Sequence, residues 1–101
     1  MLKEEEMIWL QKNEFTEFAH TDAGDEFFRK TEGSFLVTLF FWNHEENLKQ
    51  KWSCSVSDGI ELSYVFAEDG MHAYAAALDE AEQSLDETKK KIKALREEVK
   101  S

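Results

Sequence analysis

The sequence predicts an α+β fold: a four-stranded antiparallel β-meander, then one long C-terminal α-helix, with a short helix at the N-terminus. Between Gly33 and Gly70 the sequence has the period of two that is typical of strands, and apolar and polar residues alternate within 52–66. After Gly70 apolar residues recur at steps of three and four, which is the period of a helix face. We expect one domain, made of an N-terminal segment (1–24), a sheet (25–68) and a helix (69–101).

Residues 3–19 allow two interpretations. One is a continuous helix using Met7, Leu10, Phe15 and Phe18, and the other is a short helix followed by a strand across "EFTEFAH". We favour the helix. The next residues, "HTDAGDE", have loop composition.

The run "GSFLVTLFFWN" is mostly apolar, and we predict a strand over 34–42 within it. Phe35, Val37, Leu39 and Phe41 fall on one face, and Leu36, Thr38, Phe40 and Trp42 fall on the other. A preceding strand over "EFFRKTE" makes this strand internal. Because both faces are apolar, Leu36, Phe40 and Trp42 need cover from the N-terminal segment, the C-terminal helix or a second copy of the chain.

A β-hairpin is centred on Asp58-Gly59, since this pair tolerates the positive φ angles of a two-residue turn. The predicted strands span 51–57 and 60–67. Serines alternate with the apolar residues Trp52, Cys54 and Val56 before the turn. After it, polar residues and Val65 alternate with Ile60, Leu62, Tyr64 and Phe66.

The segment after Gly70 has no Gly or Pro, and Asp69 is a candidate N-cap for its helix. Its apolar stripe forms a heptad pattern through Met71, Tyr74, Leu78, Ala81, Leu85, Thr88, Ile92, Leu95 and Val99. A helix of about 30 residues spans about 45 Å, whereas a strand of eight spans about 27 Å. The helix therefore overhangs the sheet, and its far half, from Leu85 to Val99, needs a partner.

Charge along this helix is segregated, with six acids and no base in 69–87 and six bases against two acids in 88–101. The pattern suits the helix macrodipole. It also suits two helices running antiparallel, whereas a parallel pair places like charges together. A further alternative is that "EEEMIWL" folds back within one chain, with Glu4 to Glu6 near Lys89 to Lys91 and Ile8, Trp9 or Leu10 on the stripe.

The composition restricts the function. Twelve bases against 22 acids give a net charge of −10, which repels phosphate and anionic headgroups, so we expect no direct nucleic-acid or membrane binding. Hydrophobic residues make up 42% of the chain, enough for a folded core. The single Cys54, the lack of a signal-peptide pattern in Met1 to Gln11 and the lack of about 20 consecutive apolar residues predict a cytoplasmic protein.

No catalytic pattern is recognisable, and we expect no enzyme activity, cofactor or metal. His20, Asp22 and Asp25 share an acidic loop that lacks the oxygens of an EF-hand, so a solvated turn is the favoured interpretation. His44, Glu45 and Glu46 do not form the H-E-x-x-H helix of a zinc site. His72 is expected at the surface of the first helical turn. Cys54 is expected to be a buried, unreactive thiol.

Three aromatic residues on neighbouring strands, Trp42, Trp52 and Tyr64, allow a stacking platform for bases. Such platforms normally lie in basic grooves, and here acids outnumber bases around the strands. We therefore favour core packing for all three.

The order of four strands and one long helix is similar in outline to the Whirly type of single-strand DNA binder, which dimerises through such helices. This resemblance implies single-strand binding, which the acidity of the chain opposes, and it assigns no residue. The small size and acidity are also similar to those of phage-encoded inhibitor proteins.

We expect a non-catalytic protein-binding module, homodimeric through its C-terminal helix, acting as an inhibitor or adaptor on a basic, nucleic-acid-binding surface of another protein. The expected oligomer seam is Met71, Tyr74, Leu78, Leu85, Ile92, Leu95 and Val99. The expected acidic partner surface is Glu4, Glu5, Glu6, Asp79, Glu80, Glu82, Asp86 and Glu87; the alternative explanation is that the acidity serves solubility alone. The alternative is a small-molecule or nucleotide-binding enzyme subunit with its pocket between sheet and helix.

Overall fold

The computed structural model describes residues 4–43 and 49–100. Its elements, in chain order, are α1 (Glu4–Lys12), β1 (Glu17–His20), β2 (Glu26–Glu32), β3 (Phe35–Phe41), β4 (Trp52–Ser57), β5 (Glu61–Ala67) and α2 (Gly70–Lys100). The strands form one antiparallel sheet in the order β1-β2-β3-β4-β5. The α+β class, the short N-terminal helix and the long C-terminal helix are therefore confirmed.

The sheet has five strands, so the prediction of four was wrong. The extra strand, β1, pairs with β2 and places Phe18 opposite Phe28. The continuous helix favoured for residues 3–19 is also wrong, because the chain turns at Glu14, whose φ is 64°. This turn directs Phe15 into the core, where it is 6% exposed. The sheet therefore begins at β1, within the segment 1–24 that we expected to precede it.

The hairpin at Asp58-Gly59 is confirmed, although its loop is longer than the two residues expected. Ser57 pairs with Glu61, and the backbone N–H of Asp58 donates to the carbonyl oxygen of Ile60 over 3.0 Å. The register shifts between Val56 and Ser57. Gly59 has a φ of 78°, a conformation that favours glycine.

The two helices leave one face of the sheet covered and the other open. The covered face contributes the core residues Phe28, Val37, Leu39, Trp52, Cys54 and Val56. On α2, the buried residues facing them are Ala73, Ala77 and Ala81, whose small side chains allow the helix to lie close to the sheet. At its first turn the helix approaches the sheet closely, since a Cβ on Gly70 would lie 3.3 Å from the ring of Trp52.

The last strand turns its two aromatic side chains outward. Tyr64 and Phe66 are exposed on the open face, whereas Ser63 is buried against α2. In β5 the small Ser63 therefore faces the core, and the larger Tyr64 and Phe66 face away from it. The Ser63 hydroxyl is satisfied because it donates to the carbonyl oxygen of Ala77 over 2.7 Å, which removes the cost of burying it.

Lys30 is a buried cation that joins the N-terminal segment to the rest of the core. Its ammonium donates to the carbonyl oxygen of Asn13 over 2.8 Å and lies 4.8 Å and 4.7 Å from the ring centres of Phe15 and Tyr74. Glu32 adds an ion pair at 3.6 Å. These contacts compensate for the loss of water around the charge.

Candidate functional site

The distal part of α2 extends beyond the sheet. Ser84 ties α2 to β5, since its hydroxyl donates to the carbonyl oxygen of Leu62 over 3.0 Å. Leu85 is half-buried, and every residue from Asp86 to Val99 is exposed. We call residues 86–100 the distal segment; its 15 residues extend about 22 Å. The overhang expected from the sequence is therefore present.

The predicted seam falls into two parts in this fold. Tyr74 is half-buried and makes edge-on contacts with Trp9 at 5.9 Å and with Phe15 at 5.3 Å, so it serves the chain's own core. Met71 and Leu78 are partly exposed beside that core. Farther along, the exposed fractions are 58% for Ile92, 61% for Leu95 and 87% for Val99.

An apolar groove of about 220 Å³ runs beside α2, between the helix and the sheet. We call it the helix groove; its apolar wall is formed by Phe35, Val37, Val56, Leu78 and Leu85. Two acids, Glu32 and Glu82, line its exposed margin. Three predicted seam residues, Tyr74, Leu78 and Leu85, thus lie in a groove whose other wall comes from the sheet, a feature that helical periodicity alone does not reveal.

The predicted acidic surface lies on the helical side of the molecule. Asp79, Glu80, Glu82, Asp86 and Glu87 are exposed on α2, and Glu4 and Glu5 are exposed on α1. The fold-back alternative is wrong in placing Glu4 to Glu6 near Lys89 to Lys91, because α1 packs at the opposite end of α2, but it is correct in placing Trp9 on the stripe, where it contacts Tyr74. There a cavity of about 410 Å³ is lined by Glu5, Glu6, Trp9, Leu10, Trp52 and the first residues of α2.

The open face of the sheet carries a continuous band of aromatic rings. Neighbouring ring centres are 6.1 Å apart for Phe27 and Phe40, 4.4 Å for Phe40 and Trp42, 6.2 Å for Trp42 and Phe66, and 5.3 Å for Phe66 and Tyr64. The predicted apolar interface, Leu36, Phe40 and Trp42, lies on this face, and all three side chains are half-buried.

Core packing was expected for Trp42, Trp52 and Tyr64 together, but the fold separates them. Trp52 is buried on the covered face, where it contacts Phe28 and Phe41. Trp42 lies on the open face and donates from its indole Nε1 to the hydroxyl oxygen of Ser53 over 3.0 Å. The expectation is therefore correct for Trp52, whereas Tyr64 is exposed.

The buried thiol and the helix cap predicted from the sequence have the expected surroundings. Burial raises the pKa of the Cys54 thiol to about 12, against a smaller opposing effect from Lys30. Asp69 caps α2, since its carboxylate accepts from the backbone N–H of His72 over 2.8 Å and lies 2.6 Å from the imidazole Nδ1. The backbone hydrogen bond is the main cause of the lowered pKa of Asp69.

The residues considered as metal ligands do not converge in the part of the chain that the structure describes. Within residues 4–43 and 49–100, no three His, Cys, Asp or Glu side chains are grouped closely enough to hold a metal ion. The solvated-turn interpretation is wrong for Asp25, which is buried and accepts from the backbone N–H of Asn43 over 2.7 Å. His20 packs on the ring of Phe18. His44, Glu45 and Glu46 lie outside the described residues.

No protein-family model, curated protein or solved structure matches the chain. Among the described helices, none combines the length and apolarity that a membrane span requires.

Proposed function

We propose that this chain is a non-catalytic protein-binding module that forms a homodimer through α2. The observation that carries the proposal is the exposure of Ile92, Leu95 and Val99 on a segment that extends beyond the sheet. Each leucine or isoleucine removed from water contributes about 1.5–3 kcal/mol. An isolated helix of this length is marginal in water, so a second surface would stabilise the distal segment substantially.

The experiment is a comparison of melting temperatures at several protein concentrations. A dimer melts at a higher temperature as concentration rises, because association is linked to folding. Leu95→Asp places a charge on the seam and should abolish this dependence. Ala94→Asp is the matched control, since it adds the same charge at the neighbouring exposed position outside the heptad stripe. If wild type and both variants melt independently of concentration, the homodimer proposal fails.

We further propose that the acidic helical side binds a basic surface of another protein, as an inhibitor or adaptor would at a nucleic-acid-binding site. The support is the exposure of Asp79, Glu80 and Glu82 on α2 and of Glu4 and Glu5 on α1. Attraction between exposed charges is screened by salt. Capture of partners from lysate at low and at moderate salt should therefore recover basic proteins that are lost as salt rises. Recovery of acidic partners, or binding that ignores salt, would refute this proposal.

A small-molecule-binding role is the second candidate, and the cavity between α1 and the start of α2 favours it. Its apolar wall includes Trp9 and Trp52, and its acids are Glu5, Glu6 and Asp69. This combination suits an organic cation with an apolar body rather than a nucleotide phosphate. A melting-temperature shift with a panel of alkyl and aromatic amines, lost in Trp9→Ala, would support this role over simple protein binding.

We also propose a cytoplasmic location. The support is that the chain's single cysteine, Cys54, is a buried free thiol. Localisation of a tagged chain in its host would test this.

A further inference from the structure

We infer that the two α2 helices pair antiparallel, with the distal segment of each copy lying in the helix groove of the other. This inference rests on the proposed homodimer and specifies its geometry. It uses two features that the fold leaves open in one copy: an apolar groove with acids at its margin and a basic helical segment with an apolar stripe.

The spacing of the apolar residues matches between the two features. Leu78 and Leu85 are seven residues apart in the helix groove, and Ile92 and Val99 are seven residues apart on the distal segment. Seven residues of helix cover about 10 Å. If the two helices cross near residue 88, Ile92 of one copy lies opposite Leu85 of the other, and Val99 lies opposite Leu78.

In this arrangement the wall contributed by the sheet completes the seam. Phe35 and Val37 stand beside Leu78 and Leu85 in the groove, so an inserted distal segment would contact β3 as well as α2. The apolar stripe on the distal segment of one copy is then covered by the helix groove of its partner. The same contact occurs twice, as a two-fold interface requires.

Charge complementarity favours the antiparallel direction. Glu82 lines the groove, and Asp86 and Glu87 follow it at the start of the distal segment, whereas Lys89, Lys90, Lys91, Lys93 and Arg96 lie farther along that segment. Crossing near residue 88 brings Lys91 of one copy beside Asp86 of the other, and Arg96 beside Glu82. A parallel pair would instead place the acids of both copies together, which is unfavourable.

Thiol cross-linking distinguishes the two directions. Glu82→Cys and Arg96→Cys replace exposed residues that flank the stripe, so the seam itself is retained. Cys54 stays in place because it is buried. The two variants, distinguished by a short tag on one, are mixed, allowed to exchange and treated with a short bifunctional maleimide. In a parallel pair these positions are separated by about 20 Å along the helix axes.

The expected result is cross-linking between the two different variants and little in Arg96→Cys alone, because two copies of position 96 lie about 22 Å apart in the antiparallel pair. Strong cross-linking of Arg96→Cys to itself, with none between the variants, would overturn the antiparallel inference while leaving the homodimer intact. A dimer mass with neither cross-link would also overturn it. A monomer mass for both variants and for wild type would instead overturn the proposed homodimer.

Discussion

The Ser84 hydroxyl donates to the carbonyl oxygen of Leu62 over 3.0 Å, and beyond this contact α2 leaves the sheet. The same helix is close to the sheet before this point, where Ala73, Ala77 and Ala81 are buried. It is exposed beyond Leu85. The proximal part of α2 therefore completes the core, and we propose that its distal part binds a second copy of the chain.

Replacing Ser63 with alanine should destabilise the fold by about 1 kcal/mol, since the buried hydroxyl donates to the Ala77 carbonyl oxygen. Ser55→Ala is the matched control, because Ser55 is a half-buried serine on the neighbouring strand and the open face. Chemical denaturation measures both free energies of unfolding. Equal effects of the two substitutions would contradict the role given to Ser63 in seating α2.

Replacing Asp69 with alanine should cost about 1 kcal/mol of stability at neutral pH, as expected for loss of a helix N-cap. The folded state lowers the pKa of Asp69 below its ordinary value of 3.8, so its ionised form is the stabilising one. The contribution is therefore complete above about pH 5 and declines as the pH falls through the lowered pKa.

The test compares two variants, His72→Ala alone and His72→Ala combined with Asp69→Ala. The quantity measured is the difference between their free energies of unfolding as the pH is lowered. That background removes the imidazole but keeps the backbone N–H that the carboxylate accepts from. The difference should be constant at neutral pH and shrink in acid. A difference that grows as the pH falls would have the wrong sign for this account.

Cys54 should react with thiol reagents only when the chain unfolds, because it is buried and its pKa is raised to about 12. Folded protein at pH 8 should therefore label slowly, and protein in denaturant should label at once. Addition of Leu39→Ala, which opens space beside Cys54 in the core, should accelerate labelling. Fast labelling of the intact folded chain would show that this face of the sheet is accessible.

Single-stranded oligonucleotides should leave the tryptophan emission of the protein unchanged even at low salt. The aromatic band on the open face could stack with bases, but the chain carries a net charge of −10. Quenching that disappears in Trp42→Phe and persists in Trp9→Phe would contradict this prediction and favour the single-strand-binding alternative.

Local patterns predicted most of the elements but not their partners. The sequence pattern located β4 and β5 by period-two alternation and β3 by its apolar run, and it placed β2 as the strand that makes β3 internal. It missed β1, since Met7, Leu10 and Phe18 also fit a helical period, and only the turn at Glu14 separates the two elements. The overhang followed from length alone, because a 31-residue helix outruns a seven-residue strand.

The details of the candidate site depended on long-range contacts. The sequence identified Leu78 and Leu85 as seam residues, but their position beside Phe35 and Val37 follows from strand order and register. Likewise, Tyr64 and Phe66 point outward because Ser63, on the opposite face of the strand, donates a hydrogen bond to the Ala77 carbonyl oxygen of α2. Side-chain type alone favours burying the aromatic residues.

The mass of the intact chain in solution tests the central claim most directly. Light scattering at tens of micromolar should give twice the 11.8 kDa of one chain, falling toward 11.8 kDa for Leu95→Asp and staying doubled for Ala94→Asp. A folded wild-type chain of 11.8 kDa at this concentration would contradict the account, because Ile92, Leu95 and Val99 would then remain in water without a second surface.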